Sequence, residues 1–409
     1  MGLFSFLHLP KTVPLKLVLY LDIGRGNSRG AVVEMRDGKP YILYTVLGEQ
    51  NISDGDQKDT LTTALSSLEQ VLDHIARILD KTNSKDMLLA ADEVYCILAA
   101  PYYLSHTTLI HHKSEKEFSI SPHFIDSLLK VEKKNTLPAH EIELVGENGA
   151  TVHERIIDIK INGYHVSNPY GKTSTDVTVS AFRTSIDPVI IQSLVSTVRK
   201  FTPAHVSVEP LSLAAFIALR NRVDAEADFL FMTIGSEISE VSLVRNHTLL
   251  ETVSFPYGKY SLVRYIAQKM GTTNEDALAR LGLYHDKKLA EPERAKLEPF
   301  IKEAQAEWLA YLERSLISLT EETSVPPDLY LLVDTDLKDI FSEISAAHGF
   351  ASQTLVPNGF RVSLVDTALL ADSVSFSLDI RFDTILAISA SFAAAAKEAL
   401  PEMYPENKA

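Results

Sequence analysis

Asp22-Ile23-Gly24 is the first place in this sequence where residue types and spacing could do chemistry. The triplet ends an apolar run, and a strand that ends in Asp-x-Gly before a tight turn can point backbone N–H groups at phosphate oxygens. The Asp carboxylate can orient a metal ion through water. The alternative is an ordinary hairpin turn with exposed arginines, because glycine-bearing turns are common. The candidate phosphate ligands of this turn are Asp22, Gly24, Arg25, Gly26, Asn27 and Arg29, and Asp22 is also the candidate for a Mg²⁺ water.

A second strand–turn–strand pattern repeats the first at residues 229–245. Its turn adds Gly235 and Ser236 as candidate phosphate contacts. Two such hairpins facing each other would clamp a nucleotide between them. The repetition predicts two similar sheets, and therefore two similar lobes with a cleft between them.

The elements that must position these turns follow from hydrophobic periodicity. Predicted strands cover residues 17–24, 29–34, 40–46, 94–99, 155–161, 176–182, 229–235, 240–245, 249–255 and 329–333. Predicted helices cover 61–81, 122–133, 188–201, 261–270, 274–281, 291–322, 337–348 and 384–400. The change to an α+β pattern from about residue 106 to 200 indicates an inserted module.

Composition narrows the function classes. A chain of 409 residues exceeds the size at which one core keeps growing, so more than one core is expected. The formal charge of −15 and the absence of a Lys/Arg-rich block argue against nucleic acid and anionic lipid as partners. The single cysteine, Cys96, lies in an apolar run and is expected to be a buried, inert thiol. No run approaches the roughly 20 apolar residues that cross a bilayer, and no signal peptide is evident, so a cytoplasmic location is predicted.

With these motifs in order, the chain resembles the actin-like ATPase superfamily, and within it FtsA-type bacterial cell-division proteins and the related PilM. Residues 21–33 look like the family's first phosphate segment and residues 233–240 like its second. The phrase Asn168-Pro169-Tyr170-Gly171 resembles the Asn-Pro-x-Gly region of the FtsA-type insert, whereas PilM usually lacks it. Residues 206–215 are similar to the segment that follows this insert, where FtsA relatives read Leu-Glu-Pro-Leu-Ala.

The departures from the family pattern fall on the nucleotide site. The second segment normally reads Asp-Ile-Gly-Gly-Gly-Thr-Thr-Asp, but here Thr233 replaces the carboxylate, and Ser236 and Glu237 replace glycines. A carboxylate at Glu237 would repel phosphate. Where relatives carry a Gly-Gly pair under the adenosine, this chain has the run 331–336 with two aspartates. The family's polar adenosine contacts fall on Leu278 and Leu281.

The resemblance implies an α/β, actin-like two-lobed fold with duplicated ribonuclease-H-like sheets and an inserted α+β (SHS2-type) subdomain. The implied parts are a first lobe (1–91), the insert (92–202), a first-lobe connector (203–225), the second lobe (226–260), its small helical subdomain (261–325), a second part of the second lobe (326–375) and a C-terminal helix that returns to the first lobe (376–409).

The function that the resemblance implies is an FtsA-like scaffold of bacterial cell division or envelope assembly, with a degenerate cleft and little or no ATP hydrolysis. At most, ATP and Mg²⁺ would bind weakly. The implied partners are proteins, either the division tubulin or membrane-assembly peptides, and self-association is compatible with the family. One alternative is a PilM-like cytoplasmic platform for a type IV pilus or secretion machine. Another is an active ATP-binding ATPase or a sugar kinase, against which Thr233 and Glu237 argue.

Three further features have residue types that could form a site. The histidines His106, His111, His112 and His123 fit no zinc-ligand spacing and are predicted to be solvated loop residues. Trp308 stands among leucines at helical spacing and is predicted to be a core residue. The apolar leader 1–9 could contact a partner or a membrane interface, so that the chain could lie at the inner face of the membrane. The basic amphipathic anchor that usually ends FtsA relatives is not found in residues 401–409.

Overall fold

The computed structural model describes residues 16–24, 27–48, 60–81, 88–89, 91–133, 151–220, 222–223, 227–319, 324–334, 337–347, 359–377, 380 and 382–399. The strands are β1 (Lys16–Ile23), β2 (Ser28–Arg36), β3 (Lys39–Leu47), β4 (Glu93–Leu98), β5 (Leu104–Ser119), β6 (Thr151–Ile161), β7 (Tyr164–His165), β8 (Thr173–Ile186), β9 (His205–Pro210), β10 (Phe229–Ile234), β11 (Ser239–Arg245), β12 (Thr248–Phe255), β13 (Asp328–Leu332), β14 (Arg361–Leu364) and β15 (Ser375–Phe376).

The helices are α1 (Thr60–Lys81), α2 (Pro122–Lys133), α3 (Pro188–Arg199), α4 (Leu211–Arg220), α5 (Lys259–Met270), α6 (Asn274–His285), α7 (Glu291–Leu319), α8 (Lys338–Ala347), α9 (Thr367–Leu370) and α10 (Thr384–Ala399).

Two sheets carry the same central strand pattern. In the first, of order β15-β3-β2-β1-β4-β9, β1 to β3 form an antiparallel meander and β1, β4 and β9 run parallel. In the second, β10 to β12 form the meander and β10, β13 and β14 run parallel. The duplication predicted from the two hairpins is therefore present. Each sheet is the base of one lobe.

The segment between β4 and α3 extends the second sheet. Its strands follow β12 in the order β5-β8-β6-β7, and the β12–β5 junction pairs Glu251 with His106. Helix α2 packs on these strands around a small core that includes Ile110, Ile125 and Val179. The β4 strand itself lies in the first sheet, and α3 packs against α1. The domain boundaries and the SHS2 assignment of the insert stay predictions.

Side-chain alternation along β1 and β10 shows why both strands are apolar on two faces. Leu17, Leu19 and Leu21 point into the core beneath α1 and α3, whereas Val18 and Tyr20 point into a second core shared with α4 and α10. In β10, residues 230, 232 and 234 face the helices of the second lobe, while residues 229 and 231 face the shared core. The shared core thus lies between the two sheets and holds the lobes together.

The structure corrects one local prediction. His106, His111 and His112 are not loop residues, because all three lie on β5, where His112 packs against Phe118 and Phe124. His123 lies in the first turn of α2. The sequence of β5 is rich in hydroxyl and charged side chains, so its apolar alternation is too weak to indicate a strand.

Two other predictions are confirmed. Cys96 is fully buried, and burial raises the pKa of its thiol to about 12, as expected for an inert cysteine. Trp308 is fully buried in the second-lobe core. No helix among the described residues is both long and apolar enough to cross a membrane.

Candidate functional site

The two predicted turns face each other at the same end of the two sheets. In the first hairpin Asp22 stands opposite Arg29, and in the second Thr233 stands opposite Glu240. The duplicated positions therefore carry an acid–base pair in one lobe and a hydroxyl–acid pair in the other. Arg25 and Gly26 lie outside the described residues.

In both turns the glycine N–H donates a hydrogen bond within the turn. The N–H of Gly24 donates to the carbonyl of Asn27 at 3.1 Å, and the N–H of Gly235 donates to the carbonyl of Ile238 at 2.9 Å. A backbone N–H that is already bonded inside its turn is not available to a phosphate oxygen. The two glycines that were predicted to bind phosphate are thus occupied by local turn structure.

The lobes touch across the cleft through the turns. The Ser236 hydroxyl donates to Oδ1 of Asn27 at 2.9 Å, and both residues are buried. The cavity left between the turns measures ≈ 30 Å³ and is lined by residues of both, including Asp22, Arg29 and Glu240. Small-molecule pockets span roughly 300–1,000 Å³, whereas a space of this size holds about one water molecule. The cleft is closed by the protein's own side chains.

Arg29 is the centre of a buried ion cluster in the cleft. Its Nη1 lies 2.9 Å from Asp383 Oδ2 and 3.0 Å from Asp334 Oδ1, and its Nε lies 3.5 Å from Asp22 Oδ2. Lys259 Nζ contacts the other oxygen of Asp334 at 3.1 Å. Because Arg29 belongs to the first sheet and Asp334 follows β13 of the second, the cluster ties one lobe to the other.

The charges of this cluster determine where its protons lie. Burial raises the pKa of Asp334, but Arg29 and Lys259 outweigh burial and hold that pKa at about 2. Burial raises the pKa of Asp22 to about 7; Arg29 opposes the shift, and Asp383 and Asp334 add to it. Asp22 also has the longest contact with Arg29, and its Oδ1 has no hydrogen-bond partner. In the described part of the chain three carboxyls share two cations, so a proton on Asp22 makes this set of five side chains neutral.

Glu237 is engaged within the second lobe. Its carboxylate accepts two hydrogen bonds from the guanidinium of Arg264, at 2.7 and 2.6 Å. The bidentate pair neutralises the charge that the sequence suggested would repel phosphate. The backbone of Glu237 is also covered, because α5 begins directly against it after Gly258.

Gly258 allows this close approach, and its replacement is predicted to open the second turn. A Cβ at Gly258 would lie 2.6 Å from the Gly235 carbonyl oxygen and 2.7 Å from the backbone of Glu237. We expect Gly258→Ala to lower the free energy of unfolding by about 1–3 kcal/mol, since backbone atoms must move apart. Urea denaturation measures it. Gly282→Ala is the control: no atom lies within 4 Å of its Cβ position, and alanine in a helix should stabilise by about 0.5–1 kcal/mol. Equal effects of both variants would contradict the packing argument.

Comparisons with known proteins bear on the fold. No protein-family model and no curated protein matches the sequence. A solved structure described as the PilM–PilN type IV pilus biogenesis complex matches 94% of this chain and 99% of its own, at 13% identity and a TM-score of 0.61. The ethanolamine utilization protein EutJ from Carboxydothermus hydrogenoformans matches at 13% identity over 94% of this chain and 91% of its own, with a TM-score of 0.39. A Bacteroides thetaiotaomicron protein described as having an actin-like ATPase fold matches at 9% identity over 91% and 95%, with a TM-score of 0.35.

The chain has the actin-like two-lobed fold. The likeness to PilM extends over nearly the whole of both chains, and the duplicated strand order agrees with it. At 13% identity the likeness shows the fold alone, and the function has to be argued from the site.

The fold family implies Mg²⁺ and ATP, and the residues present do not fit them in this arrangement. A triphosphate would meet an arginine already paired with carboxylates, bonded glycine amides and a cavity of ≈ 30 Å³. Arg29 stands beside Asp22, at the position from which a metal-bound water would be oriented. Leu281 is buried in the second-lobe core and Leu278 packs against it. This part of α6 therefore has apolar packing at the positions that correspond to the family's polar adenosine contacts.

The structure brings together most of the predicted site residues and adds others. Asp22, Asn27, Arg29 and Ser236 all lie in the closed cleft. Asp334, Asp383, Lys259 and Tyr103 were not predicted as members of the site. A signal existed for two of them, because Asp334 follows the end of a parallel strand and Asp383 precedes α10, where its Oδ1 accepts the Leu386 N–H at 3.0 Å. Both are strand-end or cap positions at the edge where such clefts form.

Proposed function

We propose that this protein is a PilM-like assembly platform: an actin-fold scaffold that works through protein contacts at the cytoplasmic face of a membrane machine, with little or no ATP hydrolysis. The observation that carries the proposal is the Arg29 cluster. A protein that depends on a nucleotide needs open space and free backbone N–H groups at the position that this cluster occupies. Here the two lobes are joined by Arg29–Asp334 and by Asn27–Ser236 without any ligand.

The PilM-like reading is favoured over the FtsA-like one by the extent of the structural likeness. The solved PilM structure matches from end to end, and its description places PilM in a complex with PilN in type IV pilus biogenesis. The motif that favoured FtsA has a local structural explanation. Gly171 adopts a positive φ of 79°, and its N–H donates to the Ile120 carbonyl at 2.9 Å, so the Asn-Pro-Tyr-Gly phrase closes a loop of the insert. An FtsA-like division scaffold remains the second candidate on that phrase.

Nucleotide binding tests the first half of the proposal. We expect isothermal titration calorimetry with ATP and Mg²⁺ to show no binding at micromolar affinity, because phosphates would have to displace an internal ion cluster. The control is an actin-fold ATPase of known affinity, titrated in the same buffer. Micromolar binding, or turnover of ATP that is lost in Asp22→Asn, would overturn the scaffold proposal.

Partner binding tests the second half. Synthetic peptides are titrated by fluorescence anisotropy: the cytoplasmic tail of a pilus inner-membrane protein, the tail of the division tubulin, and a scrambled version of each. We expect the pilus peptide to bind and the tubulin tail to behave like its scramble. Selective binding of the tubulin tail would instead favour the division scaffold.

A further inference from the structure

Two buried carboxyls face the same inter-lobe cavity, one from each lobe. Asp22 is the next-to-last residue of β1 in the first sheet, and Glu240 lies in β11 of the second. They are 4% and 7% exposed. Asp22 Oδ1 is buried without a hydrogen-bond partner. The cavity of ≈ 30 Å³ between the turns leaves no room for the water shell that two carboxylates would need.

The groups around Asp22 cannot neutralise it. Arg29 on β2 faces it, but Arg29 is shared with Asp334 after β13 and Asp383 before α10, both of which it holds more closely. Lys259 on α5 contacts Asp334 of this cluster. Counting the described residues, two cations face three carboxyls, so one negative charge is in excess unless Asp22 carries a proton.

Among the described residues, no cation is seen to face Glu240. Its Oε1 accepts the Tyr103 hydroxyl at 2.7 Å, and its remaining hydrogen bond is with the main chain at Ala100, both from the segment that follows β4 of the first sheet. The nearby Glu237 already has Arg264 as its partner. The Tyr103 hydroxyl also accepts the N–H of Ser212 at 3.2 Å, so this contact joins the second turn to α4.

We propose that protons on Asp22 and Glu240 hold the two lobes closed, and that release of both protons opens the cleft. Ionised, the two side chains place one negative charge on each lobe across a cavity of ≈ 30 Å³. Water reaches the ionised carboxylates only where the lobes part, so the links that must separate are Tyr103–Glu240 and Arg29–Asp334. Burial raises the pKa of Glu240 and outweighs the hydrogen bonds from Tyr103 and Ala100, which lower it. Protons thereby control whether the cleft between the lobes is open or closed, at the place where other actin-fold proteins hold a nucleotide.

The direction of the pH effect follows from linkage. Burial raises the pKa of Asp22 and of Glu240 to about 7, whereas carboxyls exposed in an open cleft titrate near about 4. The closed state therefore binds protons more tightly than the open state. Its advantage is complete below about pH 4 and is lost as the pH rises through about 7. Between pH 6 and 8 the closed-to-open ratio should fall about 10-fold for each group, or about 100-fold for both.

Hydrogen–deuterium exchange on the full chain tests this proposal. Protection factors, corrected for the intrinsic pH dependence of exchange, are measured at pH 6, 7 and 8 for peptides that cover the β1–β2 and β10–β11 turns. We expect the wild-type factors to fall by up to about 100-fold over this range. In Asp22→Asn/Glu240→Gln, which mimics the protonated state, the change should stay under about threefold.

The controls separate the cleft from the rest of the surface. Glu303→Gln removes an exposed carboxylate on α7 and should keep the wild-type pH dependence. If the double variant does not fold, Glu240→Gln alone should show about a 10-fold change instead of about 100-fold. Wild-type protection that is constant from pH 6 to 8 would overturn the proposal. A full wild-type response in the double variant, or an unreduced response in Glu240→Gln alone, would overturn it too.

Discussion

Replacing Arg29 by methionine is expected to lower the free energy of unfolding by about 3–5 kcal/mol, because it removes one partner from a buried ion cluster. Arg29 is 8% exposed, and its guanidinium is within 3.0 Å of both Asp334 and Asp383. Without it, Lys259 is the cation that remains, among the described residues, beside the buried Asp22 and the partly exposed Asp334 and Asp383. Methionine keeps most of the side-chain volume, so the loss reports the charge and its hydrogen bonds.

Chemical denaturation at pH 7, followed by circular dichroism, measures this change. The matched control is Arg36→Met on the same strand, where an arginine that is 49% exposed at its side chain pairs with Glu34. Exposed pairs contribute about 0–1 kcal/mol, so this variant should stay close to wild type. Adding Asp383→Asn to Arg29→Met should recover part of the loss. A loss under about 1 kcal/mol for Arg29→Met would show that the cluster does not tie the lobes.

The two hairpins of the duplicated fold carry different side chains at matching positions. Asp22 and Arg29 are cross-strand partners in the first hairpin, and Thr233 and Glu240 occupy the same register in the second. Two carboxylates that faced a nucleotide would repel its phosphates. One arginine between the lobes can instead bond to carboxylates from both lobes. Ser236, Glu237 and Asp334 differ from the family pattern and have partners in this protein.

The strand pattern of the fold could be predicted from the sequence because its signals are local. The continuous apolar runs of β1 and β10 and the helical spacing in α1 can be seen in consecutive residues. The β5 strand could not be predicted, because Leu104–Ser119 is stabilised by pairing with β8 about 70 residues later. Its junction with β12, at His106 and Glu251, is longer in range still.

The same difference between local and long-range signals applies to the site. Asp22, Asn27 and Arg29 stand in one short segment and were recognised as a possible site. Their partners were not, because Asp334 and Asp383 lie more than 300 residues further along the chain. The motif indicated an anion site, but the partners that folding supplies to Arg29 are carboxylates. Whether a turn binds phosphate therefore depends on contacts that no local pattern contains.

Trp308→Ala is expected to lower the free energy of unfolding by about 3–5 kcal/mol, through a cavity in the second-lobe core. The indole is fully buried, and its ring lies edge-on to Phe341 at 5.2 Å and to Phe255 at 6.2 Å. Its Nε1–H points at Ser239 Oγ, 3.4 Å away, and that hydroxyl donates to the Tyr257 carbonyl at 2.7 Å. Because Ser239 begins β11, the cavity would also loosen the second turn.

Circular dichroism is the probe for this variant, since Trp308 is the single tryptophan of the chain. Trp308→Phe keeps a ring and loses the N–H, so it should cost about 1–2 kcal/mol. Ile317→Ala on the same helix, at a position 48% exposed, should cost under about 1 kcal/mol. If Trp308→Ala were no worse than Ile317→Ala, the helix would not be packed against the second turn. The expected loosening of the second turn would appear as faster hydrogen–deuterium exchange in the β10–β11 turn of Trp308→Ala. That result would show that the helical part of the second lobe holds Glu240 against Tyr103.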